Sequence, residues 1–344
     1  VSAPRRAAVD TRGLATPDID GRGWSLDWWV GADDRWHLPQ DESSVRQQLV
    51  DETPVVETAM RIPGGDAVHR AYVAHGDVDR LVIEIENRSA VPFALALAVR
   101  PGNPLGSAPV HTVELRGTDL LVDGAVGVQL SKPPAPAAGQ VGADGDVVDV
   151  VVGGLAAAAL APVRCPDGAA SAAVIFPLPH TAVLRVALPL SPTGAPRVSA
   201  TAHAVADLPA AERVAKGWEA QVRRGTRVVL PADALSATVE ASRAFLLVAH
   251  AGDHLTAQPG PAELVATLRA LDEWGFHDEV AQVLSATAGQ PASGAVLVAL
   301  AEHWRLTHDR DLVDQLLPAL AAGVSQLSRA GRVARVGQIG WVDR

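Results

Sequence analysis

Hydrophobic and polar positions change their rhythm once along this chain, near residue 208. Before it, short Val-rich runs alternate apolar and polar residues and are broken by Gly, Pro and Asp-Gly pairs. Period two sends successive side chains to opposite faces, so these runs read as strands of an antiparallel β-sandwich. Leu81–Val99 predicts two strands around Asn87-Arg88-Ser89-Ala90, a hairpin. Asp123-Gly124 predicts a two-residue turn, because both central positions of that turn need positive φ. Asp167-Gly168 predicts another ahead of AAVIF. The most apolar stretch, Val147–Val163, reads as paired buried strands, and the Pro/Ala/Gly-rich segment Ser131–Gly145 as an exposed loop.

From Leu208 the apolar spacing becomes helical. Val214, Trp218 and Val222 form a stripe on a linker helix that is expected to place Trp218 between two domains, followed by a short strand, RVVLP. Helices are then expected over Asp233–His250, with Leu235, Val239, Phe245 and Leu246 as the apolar face, and over Pro261–Trp274. Further helices are expected over Asp278–Thr287, Ser293–Leu306, and from the caps Thr307/Asp309 to about Leu327. Pro261 suits a first helical position, and Gly275 followed by Phe276 suits a Schellman stop. Amphipathic helices alternating with an almost wholly apolar one suggest an outer ring around an inner ring. The boundaries are 1–207 for the β-sandwich, 208–230 for linker helix and strand, and 231–344 for the helical region.

Composition narrows the function classes. A formal charge of −10 with scattered basic residues argues against nucleic-acid or anionic-membrane partners. One cysteine, Cys165, allows neither an internal disulfide nor a thiolate metal cluster. Residues 1–20 carry no apolar signal-peptide core, and no apolar run reaches membrane-spanning length, so the expectation is a soluble cytoplasmic chain. No Gly-rich phosphate loop, HExxH or GxSxG occurs, and no cofactor is expected.

Two segments could carry chemistry. GWSLDWWVGADDRWH (Gly23–His37) concentrates Trp24, Trp28, Trp29 and Trp36 with Asp27, Asp33, Asp34 and Arg35. Flat aromatics beside carboxylates and Arg suit a sugar, whose rings have apolar faces and a rim of hydroxyls. Packing is the stronger reading for these tryptophans, with Trp24, Leu26 and Trp28 facing a core and Trp36 covering a domain junction. The loop Ala251–Glu263 offers Asp253 and Glu263 as catalytic carboxylates, with His254 and Gln258 beside them as substrate-binding residues together with Trp36, Arg35 and Asp34. Glu263 in a first helical turn is also explained by the macrodipole alone, and that explanation is preferred. His250 and His254 have a metal-pair spacing, but Gly252 is expected to end the helix between them, so no metal site is assigned. Glu302, His303 and Trp304 read as structural.

The segments GWSLDWWVGADDRWH, VVETAMRIPGGDAVHRAYV, IEIENRSAVPFALAL, VAKGWEAQ and LRALDEWGFHDEVAQVL together resemble the six-hairpin glycosidase superfamily, and within it glucoamylase-like bacterial proteins. The resemblance implies an α+β multidomain protein, an N-terminal antiparallel β-sandwich followed by an incomplete α/α toroid of helical hairpins. It also implies inverting glycoside hydrolysis, in which a general acid and a water-activating carboxylate stand about 6.5–9.5 Å apart. The five predicted helices are fewer than half of those closing such a ring, and the aromatic-rich stretch ending in Arg-Asp at the second helix is absent. The expectation is therefore a truncated or degenerate hydrolase, a pseudoenzyme by that reading. The alternative is a non-catalytic glycan-binding or interaction module, forming oligomers through exposed faces such as Val296, Leu297 and Leu300.

Overall fold

A computed structural model describes residues 6–19, 21, 23–76, 78–190, 205–251, 260–288 and 292–329. The chain divides into two compact units, Val1–Lys216 and Gly217–Arg344. The first is β-rich and the second helical, in the order that the change of period predicts. The helices are α1 (Val147–Val152), α2 (Ala211–Val222), α3 (Asp233–Ala251), α4 (Pro261–Glu273), α5 (His277–Ser285), α6 (Gly294–Thr307) and α7 (Arg310–Arg329). The division between units falls inside α2, so the linker helix belongs to both.

Two large antiparallel sheets, with a small two-stranded one of Gly102–Asn103 and Gly106–Ser107, build the first unit. One runs Ala8–Val9, Ala15–Thr16, Ser25–Gly31, Phe93–Arg100, Ala170–Leu178, Ala137–Val141, with Trp36–His37 pairing off Ser25–Gly31. The other runs Val163–Arg164, Thr112–Arg116, Asp119–Val122, Ala125–Leu130, Val183–Pro189, Arg80–Ser89, Gly65–Ala74, Val56–Ile62, Arg46–Leu49. Alternation decides which side chains are buried where. Leu26, Trp28 and Val30 from the first sheet and Leu81, Ile83 and Ile85 from the second join one apolar cluster. The residues between them face away: Trp29 lies in a second cluster with Ala96, Ala98, Val147 and Val151, beneath α1.

Several local expectations are corrected. Arg80–Ser89 and Phe93–Arg100 do not pair with each other, and they lie in different sheets. The polar residues between them make a corner. Fully buried Asn87 donates to the carbonyls of Val91 (2.9 Å) and Leu178 (2.8 Å), while its oxygen accepts from Ser89 N–H. Val147–Val163 begins as α1, because the Asp146 carboxylate caps Val148 N–H at 3.0 Å. Within Ser131–Gly145, Ala137–Val141 is a strand paired with Ala170–Leu178. Residues 227–231 form no strand. By contrast, Asp123 (φ 49°) and Gly124 (φ 78°) make the expected turn.

In the second unit, Leu247, Leu268, Leu271, Phe276, Val280 and Leu300 share one buried cluster. α4 packs along α6, while α5 touches α4, α6 and α7. Among the described residues the helices do not form a closed ring. The predicted stop of α4 is present: Phe276 N–H reaches Leu271 O and Gly275 N–H reaches Asp272 O, both at 2.9 Å, with Gly275 at φ 82°. Asp309 caps α7 by accepting from Leu312 N–H at 3.0 Å. Trp218 is half-buried against this unit's cluster. The buried face of α3 is Arg243, Ala244 and Leu247, and Leu235 and Phe245 are exposed. Val296 and Leu300 are not exposed faces either; both are buried, and Leu297 packs beside them. No helix among the described residues is long and apolar enough to cross a membrane.

Candidate functional site

The predicted site residues separate. Asp253, His254 and Gln258 lie outside the described residues. Glu263 is exposed in the first turn of α4, the position that the helix dipole favours for an acid. Asp34, Arg35 and Trp36 do come together, around buried His37. Its Nδ1 pairs with Glu42 and its Nε2 with Asp34, each at 2.9 Å, and Arg35 bridges to Glu42 at 2.5 Å. These hydrogen bonds hold the Asp34 and Glu42 carboxyls below their ordinary range. Trp36 lies against Gly31, where any Cβ would press on its ring at 3.1 Å, and joins the Trp29 cluster. These contacts brace the loop after Ser25–Gly31, with the Asp34 and Arg35 side chains half-exposed.

Toward its start, the same face of that strand meets a cleft. Ser25 stands opposite Arg100 and Asp27 opposite Ala98, so Asp27 and Arg100 rise diagonally on one face of adjacent strands. Arg100 Nη1 lies 3.8 Å from Asp27 Oδ2, and its Nη2 binds Asp146 Oδ2 at 2.6 Å. The guanidinium stands 5.6 Å over the Trp29 ring. Asp146 uses its other oxygen to cap α1, so one side chain fixes the helix and the arginine together. Asp10, Asn103, Ser171 and Gln40 complete a concavity of about 380 Å³. A second concavity, of about 530 Å³, is lined mainly by Ala137–Val141 and Leu155–Arg164 and carries fewer ionisable groups.

Electrostatics distinguish the first cleft. Three aspartates and one guanidinium line it, and the guanidinium pairs with two of them, Asp27 and Asp146. Burial pushes the Asp27 carboxyl above its ordinary value, against the Trp28 N–H bond and Arg100, which favour the anion. Arg100 Nη1 is buried and makes no hydrogen bond. A side chain so placed has a donor in reserve, beside carboxylate acceptors whose positions the sheet and α1 hold fixed. Such a cleft suits a ligand with several hydroxyls, and a carboxyl that keeps its proton longer than usual suits acid catalysis.

Asp27 was legible in the aromatic segment, but its partners were not. Asp146 stands 46 positions from Arg100 in the chain, so no local spacing joins them. No protein-family model and no curated protein matches the chain.

Proposed function

We propose that this chain is a carbohydrate-recognising protein of the six-hairpin glycosidase kind, and that its β-rich unit, read as a sandwich, holds the sugar around Asp27, Arg100 and Asp146. The observation that carries the reading is the buried, unbonded Arg100 Nη1 beside two carboxylates at a cleft wall. A pair of neighbouring sugar hydroxyls needs that combination of donor and acceptor, fixed before binding. The close approach of α4 to α6, on either side of α5 in sequence, supports reading the second unit as an arc of hairpins with alternating inner and outer helices.

The test is calorimetric titration of the full chain with a panel of mono- and oligosaccharides. One sugar should bind, and Asp27→Asn should weaken it by at least tenfold while leaving the fold intact. A folded chain indifferent to the whole panel would end the reading.

The raised Asp27 carboxyl favours a second reading, an inverting hydrolase in which Asp27 donates the proton and Asp10 in the same cleft activates water. Turnover of a bound glycan that is abolished by Asp27→Asn and by Asp10→Asn separates hydrolysis from binding alone. Asp253 and Glu263 are the competing acids on the helical unit, and their loss should leave that turnover unchanged.

A further inference from the structure

The second unit contains a group of side chains that packing does not explain. Asp272, in the last turn of α4, is 3% exposed, and His303 on α6 is 1% exposed. Asp272 Oδ1 is approached by His303 Nδ1 at 2.8 Å and by His277 Nδ1, at the start of α5, at 2.9 Å. One ligand-capable atom from each residue lies within 4.8 Å of the others. The two imidazoles meet edge to face, 6.1 Å between centroids. Two buried polar atoms of the group, Asp272 Oδ2 and His303 Nε2, have no hydrogen-bond partner.

We propose that Asp272, His277 and His303 bind a divalent transition-metal ion, with zinc as the reference case. Two imidazole nitrogens and one carboxylate form an N₂O donor set that suits such an ion, and three protein ligands leave one position for water. A carboxylate buried this deeply needs a compensating positive charge. Among the described residues its partners within ion-pair distance are the two histidines, each charged only when protonated. A bound cation would supply that charge.

The two Asp272–histidine separations, 2.8 and 2.9 Å, are slightly tighter than the about 3.3 Å edge of a tetrahedron with ~2.0 Å bonds. Small rotations open them, and the His277 side chain, 41% exposed, has room to make one. The same exposure gives the ion a route in and its water a place. The bound ion would tie α4, α5 and α6 together at one point.

The experiment uses the full chain, stripped with a chelator and titrated with Co²⁺ and then Zn²⁺. The expected result is one equivalent of tightly bound ion, visible d–d absorption with Co²⁺, and a melting temperature that rises with zinc concentration. His277→Ala, at a half-exposed position where folding should persist, should weaken binding by at least tenfold and abolish the d–d bands. Asp272→Asn should do the same if it folds. Absence of stoichiometric binding, or equal binding by His277→Ala, would overturn the proposal and leave a hydrogen-bonded His–Asp–His group. This outcome is independent of the glycan titrations, which concern the other unit.

Discussion

His69 shows how one buried side chain sets a pH dependence. It stacks on Trp28 with ring centroids 5.3 Å apart, and burial pulls its pKa from 6.5 down to about 4. The unfolded chain therefore takes up a proton near pH 6.5, whereas the native one resists until about 4. His69 stability is complete above the unfolded value and lost as pH falls through this window, about 3 kcal/mol in all. Urea unfolding between pH 7 and 4 should show that loss, and His69→Gln should flatten it. Asp27 has the opposite sign. Its raised carboxyl favours the native state at low pH, and that contribution is lost as pH rises through its folded value. Asp27→Asn should therefore gain stability relative to the parent from pH 4 to pH 7, read as the difference in melting temperature. Asp27 was visible in the sequence as a carboxylate among tryptophans; its displaced ionisation was not, because burial is a property of the fold.

At the scale of elements, local chemistry was readable wherever it closed within a few residues. Gly275 ends α4 at φ 82°, and a Cβ there would also meet Thr226 Oγ1 at 2.9 Å. Gly275→Ala should cost about 1–2 kcal/mol in chemical denaturation, from the left-handed backbone and the contact together. Asn87 is the contrasting case. Its neighbours read as a hairpin turn, yet they carry the chain from one sheet to the other, and the amide reaches Leu178 O, 91 positions away. Asn87→Ala strands several buried backbone groups and should cost about 3 kcal/mol by the same measurement. The valines after Asp146 gave a strand pattern, but a capped first turn and burial of Val147 and Val151 on one side stabilise a helix instead.

For the whole molecule, the two units have separate apolar clusters. Those of the first contain no described residue beyond Ala215, and that of the second begins at Trp218. The start of α2 is tied to the first unit: Ala211 and Ala215 pack with Tyr72 and Val82, and the Tyr72 hydroxyl lies 2.7 Å from Pro209 O. A chain ending after Val222 should consequently fold alone, with β-type circular dichroism and a cooperative thermal transition. A non-cooperative melt would show that the helical unit is needed.

The sequence alone determined the order of a β-rich region and a helical one, the turn at Asp123-Gly124, the stop at Gly275 and the cap at Asp309. Each depends on periodicity or on backbone chemistry within a few residues, which a linear reading can see. The tertiary structure decided the corner at Asn87, the Asp27–Arg100–Asp146 cleft and the meeting of Asp272 with His303. Those join residues 91, 46 and 31 positions apart, and only the pairing of strands and the packing of α4 on α6 brings them together. It also brought Asp34 and Glu42 to the two ring nitrogens of His37 and Arg35 to Glu42, a grouping that depends on how the loop after Ser25–Gly31 folds back.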